Sequence, residues 1–260
     1  MFRLPVLKRF AAASLLLSVG VPAPASADDA PSGENQSQPQ SQPQNLSGQA
    51  LLGVLNTNGN TNARTVNGKL TLTYTDGLWG HSGTATALNS EKDRTTTDER
   101  YGLAYKGTYE LSARNYAFGS LSYDNDRFAG ITERKTEAGG YGWHLINRPQ
   151  HVLDAEAGGG ATQQTLAGGE TQNSAVALAN AKYQWLISDT SKFTQTVKIE
   201  RGRRNTFVNP LTELKLVIAG NLFTTLSYEL RYNSEVPDGT LHTDSLTAVN
   251  LGYAFGKNKQ

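Results

Sequence analysis

The sequence predicts an all-β fold: a transmembrane, antiparallel, up-and-down β-barrel of about twelve strands, within a range of ten to fourteen. Three observations predict it. Long segments alternate between apolar and polar residues with a period of two, as a strand does when its two faces meet unlike surroundings. The connections between them alternate between brief turns and longer polar pieces. All three tryptophans sit at the brief-turn end, as an aromatic belt at a membrane–water boundary requires.

Two segments precede the barrel. Arg3, Lys8 and Arg9 form a positive start, "AAASLLLSVGV" a short apolar run, and "ASA" at Ala25 to Ala27 a cleavage site before Asp28. Those are the three parts of a secretory signal peptide over residues 1–27, and the apolar run is well short of a bilayer-spanning helix. Its removal takes the formal charge from +1 to −2. Residues 28–48, "DDAPSGENQSQPQSQPQNLSG", hold almost nothing apolar to bury and read as a disordered Gln/Ser/Pro-rich tether. Residues 49–260 are then the barrel domain.

Strands are expected near 50–57, 63–75, 81–90, 98–109, 116–124, 132–146, 152–163, 173–187, 192–202, 211–219, 222–233 and 244–255. The second is the clearest: Val66, Gly68, Leu70, Leu72 and Tyr74 fall on one face, and Thr65, Asn67, Lys69, Thr71 and Thr73 on the other. In the fourth, Tyr101, Leu103, Tyr105 and Tyr109 oppose Arg100, Ala104, Lys106 and Thr108. The eighth sets alternate alanines, Tyr183, Trp185 and Ile187 against Asn180, Lys182 and Gln184. The eleventh sets Leu222, Leu226, Tyr228, Leu230 and Tyr232 against Thr225, Ser227, Glu229, Arg231 and Asn233. The twelfth sets Val249, Leu251, Tyr253 and Phe255 against Asn250 and Gly252. Most of these runs are longer than the five or six residues usual in soluble sheets. "DGLWG", "ELSAR", "NRPQ", "SDTS" and "AGN" are the brief turns. "EKDRTTTD", "NDRFAGITER", "QTLAGGETQN", "GRRNTFVNP" and "SEVPDGTLHT" are the longer pieces.

The apolar faces are assigned to lipid and the polar faces to the interior, because a closed barrel is the β architecture that leaves no unpaired backbone edge in hydrocarbon. The expected lumen lining is Lys69, Arg100, Lys106, Lys182, Lys198, Glu200, Glu229 and Arg231, of both signs. The expected interface belt is Trp79, Tyr116, Trp143, Trp185, Phe193, Phe223, Tyr253 and Phe255. A second belt at the other end would use Tyr101, Tyr123, Phe207 and Tyr232. "DNDRF" places Asp124, Asn125, Asp126 and Arg127 in a polar loop. Its acids suggest a calcium site, but the rest of a calcium loop is missing, so a turn fixed by Asp and Asn side chains is the simpler reading.

Near-neutral charge argues against a nucleic-acid partner. With no cysteine there is neither a disulfide nor a lipidated cysteine, and four scattered histidines suggest no metal site and no cofactor. Of the histidines only His242, near Asp244 and Ser245, stands at the long-loop end where a lipid-modifying hydrolase would act. No nucleophile motif accompanies it, and a solvated loop histidine is the simpler reading.

"NTNGNTNARTVN", "YGLAYKGTYEL", "YDNDRFAGITERKTEAGGYGWHL", "YQWLISDTSKFTQ" and "LSYELRYNSEVPDG" with "TDSLTAVNLGYAF" resemble the YdiY-like family of outer-membrane proteins described as salt-induced, a domain of unknown function. The resemblance spans about residues 49 to 255, and its most specific pieces are "GNTN", "DNDRF" and "RYNS". It implies a bacterial outer-membrane barrel but brings no established activity or site. The leading expectation for function is a narrow passive pore for small polar solutes or ions, linked by the resemblance to salt or osmotic response. The alternatives are a non-conducting structural or adhesive barrel acting through its outer loops, and an outer-membrane lipid-modifying enzyme. The expected partners are outer-membrane lipids and, during biogenesis, the barrel-assembly machinery, with the chain acting as a monomer and both termini in the periplasm.

Overall fold

The computed structural model describes residues 46–57, 63–93, 95–128, 131–236, 239 and 241–256. The expected signal peptide, and residues 28–45 of the expected tether, lie outside them. Twelve strands follow in chain order: β1 (Leu46–Thr57), β2 (Ala63–Asp76), β3 (Trp79–Lys92), β4 (Thr95–Ser112), β5 (Asn115–Asp126), β6 (Ile131–Asn147), β7 (His151–Leu166), β8 (Thr171–Ser188), β9 (Ser191–Arg201), β10 (Thr206–Ala219), β11 (Leu222–Asn233) and β12 (Thr243–Gly256). Each pairs antiparallel with its neighbours in sequence, and β1 pairs with β12, so the sheet closes on itself. Closure gives every strand two partners, which an apolar solvent demands of any backbone it surrounds. Over one circuit the pairings displace the chain by about sixteen residues, a shear that requires strands tilted by roughly 40–45°.

The faces are inverted relative to a soluble barrel. Leu52, Leu103, Leu121, Val249 and Leu251 are each more than half exposed on the outside, whereas Glu200 is 1% exposed and Arg134 8% on the inside. Among the described residues, Phe223 and Glu200 are the largest side chains that are fully enclosed. Large apolar residues outside and charges within make sense only if the outer solvent is hydrocarbon. This is a membrane-spanning barrel of the outer-membrane type. Both described chain ends, Leu46 and Gly256, lie at the short-turn end, where Leu46 pairs with Tyr74 and Ser47 with Gly256.

Several expectations need correction. The tether was expected to reach residue 48, but β1 starts at Leu46, because Ser47 and Gly48 pair with Gly256 and Phe255 to complete the closing seam. The asymmetry of the connections is smaller than expected. At one end they span 77–78, 113–114, 148–150, 189–190 and 220–221; at the other, 58–62, 93–94, 127–130, 167–170, 202–205 and 234–242. Most of the polar pieces read as loops are strand, since beyond the lipid a paired strand needs no apolar face. For the same reason Asp124, Asn125 and Asp126 end β5 rather than forming a loop, and only Arg127 enters the turn, where it pairs with Glu99 at 2.5 Å. β10 begins five residues before the expected position, carrying Pro210 inside it. Pro210 has no N–H to offer Leu230 across the ladder, and the Asn209 side-chain amide donates to the Leu230 carbonyl at 2.7 Å instead.

The belt also needs correction. The structure places Trp79, Trp143, Trp185 and Tyr253 on the outer face, 41–54% exposed, with Phe193 beside Trp185 in register. Tyr116 and Phe223 stand at the same end but point inward, 5% and 2% exposed. Phe207, placed in the second belt, is also inside. Strand parity turns them inward, and a glycine opposite each of the first two makes room for the ring. Tyr116 pairs with Gly142 and Phe223 with Gly252, and a Cβ on either glycine would stand within 2.4 Å of the ring. The missing side chain lets the ring lie flat along the inner wall, an aromatic covering a strand glycine. On the outside Phe255 covers Gly48 in the same way at the closing seam, which leaves it half-buried.

Candidate functional site: the charged lumen

The alternation that puts Leu70, Leu103 and Leu226 outside puts their neighbours inside. The structure places all eight expected lining residues, Lys69, Arg100, Lys106, Lys182, Lys198, Glu200, Glu229 and Arg231, on the inner face. They form three tiers.

The tier at the long-loop end is an ion-pair cluster. Arg100 Nε stands 2.9 Å from Asp126 Oδ2, and its Nη2 3.4 Å from Asp98. Arg231, on β11, reaches Asp124 at 3.9 Å and Asp126 at 3.8 Å on β5. Those two strands stand six places apart in a ring of twelve, so the contact crosses the lumen. Arg134 lies 3.8 Å from Glu200, which also holds Lys198 at 2.7 Å. The Phe207 ring lies under both guanidiniums, 4.4 Å from Arg134 and 5.9 Å from Arg231.

In the middle tier Lys69 on β2 pairs with Glu213 on β10 at 3.2 Å, again across the interior. Glu156 collects three donors: Lys106, the Tyr116 hydroxyl at 2.7 Å and the Asn180 amide at 3.1 Å. Glu229 accepts from Asn209 at 2.9 Å, and Asn67 donates to Asn250 at 2.6 Å. A cavity of about 280 Å³ lies against this wall, lined in part by Lys106, Glu156, Asn180 and Lys198.

At the short-turn end His144 sits between Asp154, at 2.7 Å, and Glu110, at 3.2 Å, and its ring packs on Tyr116. Lys192 and Lys215 also face inward there, and Lys182 faces inward opposite Asp154. The other histidines are elsewhere. His81 and His151 lie on the outer face, each hydrogen-bonded to a tyrosine hydroxyl, Tyr105 and Tyr183, and stacked beside Trp79 and Trp185. His242 donates from Nδ1 to the Asn233 carbonyl at 2.8 Å.

Several lining residues escaped the sequence reading. Arg134 lies in "ITERKTE", which is polar on both faces and so carries no readable alternation. Glu213 and Lys215 lie in "LTELKLVIA", where apolar neighbours blur the period. Lys192 could have been found, because it shares a face with Lys198 and Glu200.

Comparison with known proteins supplies the family. A family model described as a protein of unknown function, DUF481, matches residues 50–255. The chain belongs to that family. It is 29% identical over 209 residues to an uncharacterised protein, YdiY, of Escherichia coli strain K12, covering 78% of this chain and 81% of that one. Similar solved structures include an outer-membrane channel from Pseudomonas putida F1, 8% identical, with a TM-score of 0.49 over 86% of this chain and 99% of that one. They also include the NanC porin, 10% identical, with a TM-score of 0.49 over 82% of this chain and 100% of that one.

Proposed function

We propose that this protein is a narrow passive pore of the bacterial outer membrane for small polar solutes and ions. The observation that carries the reading is the reach of Arg231 across the lumen to Asp124 and Asp126. A barrel as wide as a sixteen-stranded porin would hold opposite walls too far apart for one side chain to bridge, and an eight-stranded barrel would be filled. Twelve strands lie between, leaving a charged interior narrowed where Arg231, and deeper in Lys69, reach across it. Asp124 is the open partner of that contact, its side chain 39% exposed, so salt reaches and weakens its pair with Arg231. A constriction that loosens as ionic strength rises would connect the pore to a salt or osmotic response.

On this reading the chain is a non-enzymatic monomer, exported through a cleaved signal peptide and inserted by the barrel-assembly machinery. His242 is then a rim residue, and a His242→Ala variant should retain the wild-type current.

The enclosure of Asp126, Arg134 and Glu200 supports a second reading, a plugged barrel that acts through its outer loops. Refolded residues 28–260 in a planar lipid bilayer separate the two. Reproducible current steps with weak selectivity for charge sign are expected of the pore. Stable insertion without current would leave the second reading in its place.

A further inference from the structure

The inner face at the short-turn end holds more cations than its carboxylates engage. Glu110 and Asp154 both bond His144, Glu156 holds Lys106, and Glu213 holds Lys69. Asp154 faces Lys182 across the β7–β8 ladder, yet its Oδ1 bonds His144. Lys192 and Lys215 face one another directly across the β9–β10 ladder, and the charges that act on Lys192 are those of Lys182 and Lys215. Like charges directly opposed on a sheet destabilise it. Among the described residues, Lys215 lies over the enclosed Phe223 ring, 3.9 Å from its ammonium to the ring centroid. A ring face lowers the cost of desolvating an ammonium but leaves its charge uncancelled.

We propose that Lys192 and Lys215, with Phe223 as an apolar floor, form an anion subsite at the short-turn mouth of the lumen. Its chemistry suits a small oxyanion of the phosphate or sulfate class. Such an ion carries enough negative charge to offset two opposed ammoniums, and lysine binds it as a point charge without needing a planar match. The subsite rests on the reading of the lumen as open to water at this mouth. It does not require current to pass the constriction.

Thermal unfolding of the full chain, purified from membranes in a non-ionic detergent, tests the subsite without any conductance. Inorganic phosphate is compared with chloride at matched ionic strength and neutral pH. Phosphate should raise the Tm by roughly 2–4 °C beyond chloride, as expected of a ligand at several times its Kd on a barrel of this size. A Lys192→Gln/Lys215→Gln variant should have a higher Tm than the wild type at low salt, because the repulsion is gone, and should lose the phosphate increment. If that variant does not fold, Lys192→Gln alone is read by the same criteria. Equal effects of phosphate and chloride on the wild type, or an increment that survives in the variant, would overturn the subsite. A barrel that binds phosphate but passes no current would retain the subsite and lose the pore.

Discussion

Glu156 shows what one residue does in this lumen. It is 7% exposed and accepts from Lys106, Tyr116 and Asn180, so strands β4, β5, β7 and β8 all meet at one carboxylate. Glu156→Ala would leave the Tyr116 hydroxyl and the Lys106 ammonium without their acceptor. The expected cost is about 2–4 kcal/mol, measured by urea unfolding in detergent with tryptophan fluorescence as the probe. Glu156→Gln should cost less, since an amide oxygen still accepts from Tyr116. Phe223 shows what the sequence did and did not disclose at this scale. Its neighbours Thr225, Ser227, Glu229 and Arg231 are read as interior from alternation alone, and Phe223 shares their face. Its place beside a short turn suggests a membrane belt, but strand parity is the stronger constraint, because a one-residue change of face would turn the whole strand over.

At the scale of the element, β10 is where local signals mislead. Pro210 and the polar residues before it suggest a loop, and the strand forms because Asn209 supplies the donor that Pro210 lacks. Asn209→Ala should leave the Leu230 carbonyl and Glu229 each short of a donor and cost about 1–2 kcal/mol in the same unfolding assay. The β11–β12 ladder makes a second case. Gly252→Val would drive a side chain into the Phe223 ring, at an expected cost of about 1–3 kcal/mol. Adding Phe223→Ala should return part of that loss, a non-additive outcome that unrelated sites would not give. Strand number and strand centres were legible because twelve runs alternate against lipid. Strand ends at the long-loop side were not, because beyond the bilayer both faces are polar and the period disappears.

For the whole molecule, twelve strands and a strong shear give an interior that long side chains can cross and short ones cannot fill. Eight of the lining residues were legible from parity, and Arg134, Glu213 and Lys215 were not, because their strands carry no clean alternation. Pairing across the lumen was not legible either, because Arg231 and Asp124 come from opposite walls and no local pattern relates them. The proposed pore stands on that cross-lumen contact. The measurement that tests it most directly is single-channel current through an Arg231→Ala variant beside the wild-type chain, in the same bilayer and salt. Removing the guanidinium opens the constriction, so the conductance should be about twofold higher or more, with the difference shrinking as salt rises. A folded, inserted variant whose conductance equals that of the wild type would contradict it.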